Sequence, residues 1–363
     1  MKISSLEQLR CIQSHSTSAC HGQLEIAATP VTPRIDTDKQ ELLEGLMQCR
    51  NCGTTYPVIS GVAIMQPRLM SWCRENYHYI QSGAARTGCI GNELQHWLED
   101  RQWQLGNRPA DNYYETERWI SIFTSAHYDS VSSGNDDISA LGKYIESQPQ
   151  VFEVAEQMIA RQLDKPVNRA LDVGTNVGGM ALRLGAHARE VIGIDTAFNA
   201  ILTARKIQCG APAAQTRYRR YHDGHHYEER TLAAQSNNAE FVLASIFDLP
   251  FEGSWDLVSA LNVIDVVDDP RQFLQTLAEL VSEGGLLLLT SPYSWGSDDV
   301  PMDNWLGASA ERPSAVATRE AIEQLGFSIV DEIDDIPWVL REHQRWYRVF
   351  LNHCILARKQ VHT

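Results

Sequence analysis

Long apolar runs are missing from this chain of 363 residues; the longest obvious one is Leu286 to Leu289, far short of the ~20 residues a membrane-spanning helix needs. The opening Met1-Lys2-Ile3-Ser4-Ser5 lacks the apolar core of a secretion signal, so a cytoplasmic location is expected. Positive charge is scarce too: 31 Lys and Arg face 46 Asp and Glu, a net charge of −15. That balance opposes a long phosphate backbone as partner, because nucleic-acid binding draws on a basic surface. A local basic cluster remains, with Arg217, Arg219 and Arg220 set among Tyr218, Tyr221 and the histidines 222, 225 and 226. Those histidines, interleaved with Tyr and Arg, read as the polar lining of a loop. Internal repeats and low-complexity tracts are absent, which excludes solenoids and arrays. A chain of this length that is 43% hydrophobic can bury one large core and carry a small extra domain.

The most informative stretch is Asp172-Val173-Gly174-Thr175-Asn176-Val177-Gly178-Gly179, between an apolar run (Arg169 to Leu171) and a helical one (Met180 to Leu184). Strand, glycine turn and helix in that order aim backbone N–H groups and a positive helix end at a ligand. The next apolar run, Val191 to Ile194, ends in Asp195, placed to accept from both hydroxyls of a ribose. A dinucleotide site wants G-x-G-x-x-G. Asn176 occupies the second glycine position, so clearance for a pyrophosphate is missing. The acid two residues before Gly174 suits a ligand with a cationic amino acid end. A third strand candidate, Ala239 to Ser245, leads to Asp248, within reach of an adenine amino group.

These motifs resemble the class I S-adenosylmethionine (SAM) methyltransferases. The resemblance implies an α/β, Rossmann-like seven-stranded sheet with SAM as cofactor. It implies cofactor contacts from Asp172, Gly174, Asn176, Gly178, Asp195, Thr196, Ile246, Asp248 and Asn262.

Four of the eight cysteines fall near the start. Cys49-x2-Cys52 is a knuckle; Cys11 and Cys20 lie upstream. Two pairs some thirty residues apart suit a tetrahedral Zn(II) site, whose binding energy replaces the core so short a segment lacks. Cys20 to Glu25, Cys49 to Gly53 and Tyr56 to Val62 resemble the zinc-ribbon domain of the activator subunit that partners several tRNA and protein methyltransferases. That family's first cysteine would fall near Thr17, so Cys11, or else His15 or His21, completes the site. Such a site is closed and structural, and the ribbon is a candidate surface for a protein partner. Cys73, Cys89, Cys209 and Cys354 have no partner pattern and read as core residues.

Residues 67–150 are aromatic and helical in rhythm (Trp72, Tyr77, Tyr79, Trp97, Trp103, Tyr113, Tyr114, Trp119), with an N-cap expected at Asp111 to Glu115 and a helix from Glu117 to Phe123. Most of these aromatics read as core, and the methyltransferase resemblance implies a helical lid. Val131 to Asp137 reads as a loop. The chain therefore divides into a zinc-ribbon domain (1–66), a helical linker or lid (67–150) and a methyltransferase domain (151–363).

A fourth strand, Ser254 to Leu261, ends in Asn262 to Pro270, a helix spans Gln272 to Val281, and a strand Leu286 to Thr290 releases Ser291 to Trp295. Strands Phe327 to Ile333 and Trp346 to Leu356 complete the sheet, one of them antiparallel. Ligands gather at the carboxyl ends of such strands, which puts Asn262 and Asp265 by the transferring methyl, unless Asn262 merely caps a turn and Asp265 is solvated. Asn262 to Asp265, Thr290 to Trp295, Pro301, Asn304 to Gly307 and Asp335 to Glu342 resemble the methyltransferase domain of ovothiol biosynthesis over residues 165–358. That resemblance implies N-methylation of the imidazole of a mercaptohistidine. Gln215 to Thr231 is an insertion relative to a minimal methyltransferase.

An imidazole acceptor needs its tautomer held and its spare proton taken. Asp265, Tyr293 or a histidine fit that task, and Asn262 fits orientation of the ring, so Asn262, Asp265 and Tyr293 are the candidate catalytic residues. Arg341 with Glu342, or Arg217 to Arg220, would meet an amino acid's carboxylate and ammonium. Two other readings stand beside a small-molecule enzyme: an RNA or protein methyltransferase docking through the ribbon, and a non-catalytic SAM-binding scaffold.

Overall fold

Apolar runs punctuated by Gly, Pro and Asp give, among the described residues, sixteen strands with helices between them in the computed structural model. It describes every residue except 16–17, 88–89, 100–112, 130–139, 210–215, 234–237, 297–299 and 362–363. The first 65 residues are β-rich: β1 (Ser14–His15), β2 (Ser18–Ala19), β3 (Leu24–Ala27), β4 (Arg34–Asp36), β5 (Glu41–Cys49), β6 (Thr55–Ile59) and β7 (Val62–Met65). Helices Leu69–Glu75, Tyr77–Thr87, Asn92–Glu99, Glu117–Tyr128, Ala140–Glu146 and Val151–Gln162 follow. Then come β8 (Val167–Val173), β9 (Ala188–Asp195), β10 (Thr216–Asp223), β11 (His226–Leu232), β12 (Ala239–Ala244), β13 (Trp255–Leu261), β14 (Val281–Ser291), β15 (Phe327–His343) and β16 (Trp346–Lys359). Among the described residues no helix is long and apolar enough to cross a membrane.

The sheet is wider than the seven strands the sequence predicts. It has twelve, in the order β15-β16-β14-β13-β8-β9-β12-β7-β6-β5-β3, with β4 also on β5. The seven strands from residue 167 onward form one side, with β16 antiparallel to β14. The widening has a simple cause. β7 pairs in parallel with β12 through Val242↔Ala63, Leu243↔Ile64 and Ala244↔Met65. Every residue of β12 is buried, so without β7 it would be an apolar edge, a template for aggregation. One apolar core runs through both parts, from Leu46 and Val58 to Leu171, Ile192 and Leu288.

A buried cation fastens the seam. Arg205, on helix Phe198–Cys209, donates to Glu41 Oε2 at 2.8 Å and to the Ser60 carbonyl at 3.1 Å. Both side chains of the pair are under a tenth exposed, so loss of either strands a buried charge.

Three local expectations change. The histidines 222, 225 and 226, read as lining a loop, sit instead on a hairpin: Thr216–Asp223 and His226–Leu232 pair antiparallel, with His225 in the turn between them. Its arginines are not a free basic patch either, since Arg217 pairs with Glu229, Arg219 with Glu117 and Arg220 with Asp129. Asp335 to Glu342 lies within β15. The Asp334-Asp335-Ile336-Pro337 breaker is absorbed by a register shift between Ile333 and Ile336, with Asp335 at φ +57°, and such a bulge bends a ladder without ending it. The helix from Glu117 is capped by Thr116, whose side chain accepts from the Trp119 N–H, not by the Asp111 region. Asp111, Asn112, Trp103 and Val131 to Asp137 lie outside the described residues, and Cys89 does too.

Candidate functional site

Strand β8 delivers Asp172 to the carboxyl edge of the sheet, opposite Gly193 of β9 and Ser259 of β13. The Ser259 hydroxyl donates to Asp172 Oδ1 at 2.6 Å. The carboxylate is 1% exposed, and its Oδ2 has no hydrogen-bond partner. Burial pushes the Asp172 carboxyl up to about 6. The chain then turns through Gly174 at φ +69°, a left-handed conformation that glycine adopts without strain; any side chain there would also overlap Val263. Asn176 is left-handed as well, at φ +50°. Its N–H donates to Asp195 Oδ2 at 2.8 Å, and the Ala197 N–H donates to Oδ1 at 2.9 Å. Gly178 starts the helix Gly179–Leu184; a methyl on it would sit 2.9 Å from Ala204 and from the Phe241 ring. Thr196 is exposed. Asp248 ends a single turn with Ile246, begun by Ser245, whose hydroxyl accepts from the Phe247 N–H. Burial raises both Asp195 and Asp248 above the ordinary carboxylate range.

The helical segment docks on this loop through residues that sequence reading passed over. Tyr128 donates to the Val177 carbonyl at 2.7 Å, and the Gly179 N–H donates to His127 Nδ1 at 3.2 Å. Burial drives His127 down to about 3, so its imidazole is neutral and free to accept. Glu115, 1% exposed, accepts from the N–H groups of Phe198 (2.6 Å) and Asn199 (2.7 Å) at the start of helix Phe198–Cys209, where the helix field favours a carboxylate. The expected result of Glu115→Gln is a loss of ~1–3 kcal/mol in urea unfolding, with looser SAM binding, because this cap fixes the segment after Asp195. Unchanged unfolding would show the cap to be idle.

Around the ends of β13 and β14 the predicted acceptor-side residues are brought together, each already engaged. Asn262 (φ +57°) accepts at Oδ1 from Thr290 Oγ1 at 2.9 Å, and its N–H reaches the Thr290 carbonyl. Asp265, 2% exposed, accepts at Oδ2 from both the N–H and the hydroxyl of Ser294, at 2.8 and 2.9 Å. The hydroxyl of Tyr293 (φ +52°) lies 2.9 Å from His353 Nδ1, and His353 Nε2 lies 2.8 Å from Glu332 Oε1. Side chains alternate along a strand, so this Tyr–His–Glu chain lies on the opposite sheet face from Asn352 and Cys354. Trp295 stacks on Trp305 at 6.3 Å. Arg341 and Glu342 are buried, and Glu342 pairs with Arg348 at 2.5 Å.

A family model described as a methyltransferase domain matches residues 147–332, just over half of the chain. The chain belongs to this methyltransferase family. The glycine turn and the acids described above lie within the matched residues. The mitochondrial ubiquinone biosynthesis O-methyltransferase of Dictyostelium discoideum is 27% identical over 154 residues, 41% of this chain and 43% of that protein. The chain thus spans less than half the length of that curated relative. Among solved structures, magnesium protoporphyrin IX methyltransferase from Synechocystis PCC 6803 with bound SAM aligns at 15% identity and TM-score 0.42, covering 70% of this chain and 100% of that one. The complex of the Haloferax volcanii Trm112 methyltransferase activator with a methyltransferase aligns at 18% identity and TM-score 0.39, covering 57% and 89%.

The residues present in this methyltransferase fit SAM. Asp172 Oδ2 and Asn176 Oδ1 are buried acceptors without partners, beside a glycine turn with no room for a side chain. A cationic amino acid end answers the first need, and Asp195 keeps unused lone pairs for ribose hydroxyls.

The sulfurs of Cys11, Cys20, Cys49 and Cys52 all lie within 4.8 Å of one another. Cys11 to Cys52 is 3.6 Å and Cys20 to Cys49 is 3.7 Å, against about 3.8 Å for sulfurs around a tetrahedral zinc with bonds of ~2.3 Å. Tyr56 Oη lies 3.2 Å from Cys11 Sγ, and the Asn51 N–H points at Cys49 Sγ. Gly22 is the close approach that permits this packing, since a methyl there would meet Cys49 Sγ at 2.6 Å. Cys11 is thus the residue in the fourth corner of the cluster.

Proposed function

We propose that this methyltransferase transfers a methyl group to an imidazole nitrogen of a thiolated histidine or a close relative. The observation that carries the reading is convergence of the separate segments that resemble the ovothiol methyltransferase domain. Asp265 ties down Ser294, Trp295 stacks on Trp305, and Asn304 donates to the Asp268 carbonyl at 2.8 Å. Residues distant in sequence thereby build one wall at the ends of β13 and β14.

SAM supplies an electrophilic methyl on a sulfonium, and the protein's task is mostly to hold the acceptor nitrogen in line with it. Asn262, left-handed and pinned by Thr290, fixes the backbone at the end of β13. Asp265 and Tyr293 act through the loop they hold: Asp265 through Ser294, Tyr293 through His353 and Glu332. We assign the four-cysteine cluster to a structural Zn(II), which would be closed and chemically silent. The last of the ribbon strands, β7, is spent on pairing with β12, which favours a scaffold role over capture of RNA.

Mass spectrometry of products after incubation with SAM and, separately, mercaptohistidine, histidine and bulk RNA tests this reading. A methyl gain on mercaptohistidine alone is the expected result. A gain on RNA or histidine alone, or SAM binding with no gain on any of the three, would reject it.

A further inference from the structure

One buried amide stands without any partner. Asn352, on β16, is 0% exposed, yet neither its Oδ1 nor its Nδ2 has a hydrogen-bond partner. Burying an unpaired amide is expensive; most such groups in folded proteins find partners. The indole nitrogen of Trp338, on β15, is likewise buried without a partner.

Strand register places these orphans on a meaningful face. Paired residues share a face and the pattern repeats every second residue. Asp172 pairs with Ser259 and Gly193, Ser259 with Leu288, and Thr290 with Cys354. Asn352, two residues from Cys354 and paired with Ile336, therefore lies on the same face as Asp172, Ser259 and Thr290. Trp338 sits two residues from Ile336, on that face too.

The cofactor loop is tied to the same patch. Trp338 stacks near Phe123 at 6.4 Å and packs against Phe350 at 5.4 Å. It packs on the apolar cluster that contains Val177 of the glycine turn and Ala197 just past Asp195. An aromatic wall, a donor–acceptor amide and a spare indole N–H thus share one surface, bounded by the cofactor turn on one side and the Asn262–Thr290 pair on the other.

We infer that Asn352 and Trp338 recognise the methyl acceptor's ring, a planar nitrogen heterocycle bearing one N–H. This rests on, and deepens, the reading proposed above. Asn352 Oδ1 accepts the ring N–H, which leaves the lone pair on the other ring nitrogen. Asn352 Nδ2 and Trp338 Nε1 remain as donors for the ring's polar substituent, and the aromatic side chains stack on its face. Asn352 is a positioning residue in this scheme: it selects which nitrogen meets the methyl. Helix Glu117–Tyr128 covers the patch through Phe123, so the cover must give when the acceptor enters.

Asn352→Leu and Trp338→Phe in the full chain test the assignment, with mercaptohistidine as the probe. Leucine replaces an unpaired amide with an apolar group of similar shape, so the Leu variant should melt no lower than wild type. Its KM for mercaptohistidine should rise about tenfold or more, with SAM affinity by calorimetry unchanged, and the ratio of the two N-methyl isomers should shift. Trp338→Phe should raise KM by a smaller factor. Unchanged KM and isomer ratio in Asn352→Leu would overturn this inference alone and would mark Asn352 as an internal water site. Wild-type protein that binds SAM yet neither binds nor methylates mercaptohistidine would overturn both this inference and the functional reading.

Discussion

Stripping the four-cysteine cluster of its metal is expected to unfold the N-terminal strands and take the methyltransferase with them. Structural zinc contributes ~10–16 kcal/mol of apparent binding energy in small zinc modules, comparable to the whole stability of an ordinary domain, ~5–15 kcal/mol. In the described structure the consequence does not stay local. Burial pushes the Cys11 thiol up to about 12, so without a cation that sulfur is protonated and nothing organises Cys20, Cys49 and Cys52 around it. Once β5 to β7 loosen, β12 loses its partner and exposes a fully buried apolar edge. Chelation, or Cys49→Ser, should lower the melting temperature by more than 10 °C, on the scale of ~2–8 °C per kcal/mol, and bring aggregation and loss of SAM binding. Metal content by atomic absorption should track folded protein at one zinc per chain. Full thermal stability in demonstrably metal-free protein would sink the zinc assignment.

The second large effect concerns Asp172. Its buried carboxyl is raised to about 6 from an unfolded value near 3.8. The folded state therefore binds its proton more tightly, and the sign follows. Below pH 3.8 the group is protonated in both states and carries no penalty. Between 3.8 and about 6 the penalty of a buried charge grows, and above 6 it is complete, on the order of 3 kcal/mol. Asp172→Asn should thus stabilise ligand-free protein at pH 8 while leaving it little changed at pH 4. The same substitution should weaken SAM binding by two to three orders of magnitude, because a buried cationic amine would lose its counter-charge, worth ~3–5 kcal/mol. In the wild type, SAM affinity should fall about tenfold per pH unit below pH 6, as the carboxylate it needs is protonated. Calorimetric titrations from pH 5 to 8 check both claims. A pH-independent SAM affinity, or an Asn variant that binds normally, would remove Asp172 from the site.

Much of the glycine turn and the strand ends beside it was legible in the order of residues alone. An acid at the end of one apolar run, a glycine turn, and a second acid at the end of the next run need only local chemistry. Gly174 must be left-handed, Asp195 must end β9, and backbone N–H groups must point where the helix begins. The knuckle at Cys49 and Cys52 was legible for the same reason, since its ligand spacing lies within one turn of chain. Cys11 was an open choice against His15 and His21, because a loose nine-residue step from Cys20 specifies no geometry until Gly22 packs against Cys49.

Tertiary structure alone decided the rest. That β7 meets β12 across more than 170 residues of chain depends on complementary apolar edges, and no local pattern encodes which edge will be covered. His127 carries no signal of its own and Glu115 reads only as part of an N-cap for its own segment, yet docking makes one an acceptor for the glycine-turn helix and the other the cap of the helix after Asp195. Tyr293, Asp265 and Asn262 were legible as polar residues past strand ends; their partners His353, Ser294 and Thr290 come from sheet register and loop closure. Asn352 carries no sequence signal at all. Only the pairing of β15, β16 and β14 puts its unpaired amide on the face shared with Asp172, because alternation along each strand turns a register into a choice of side.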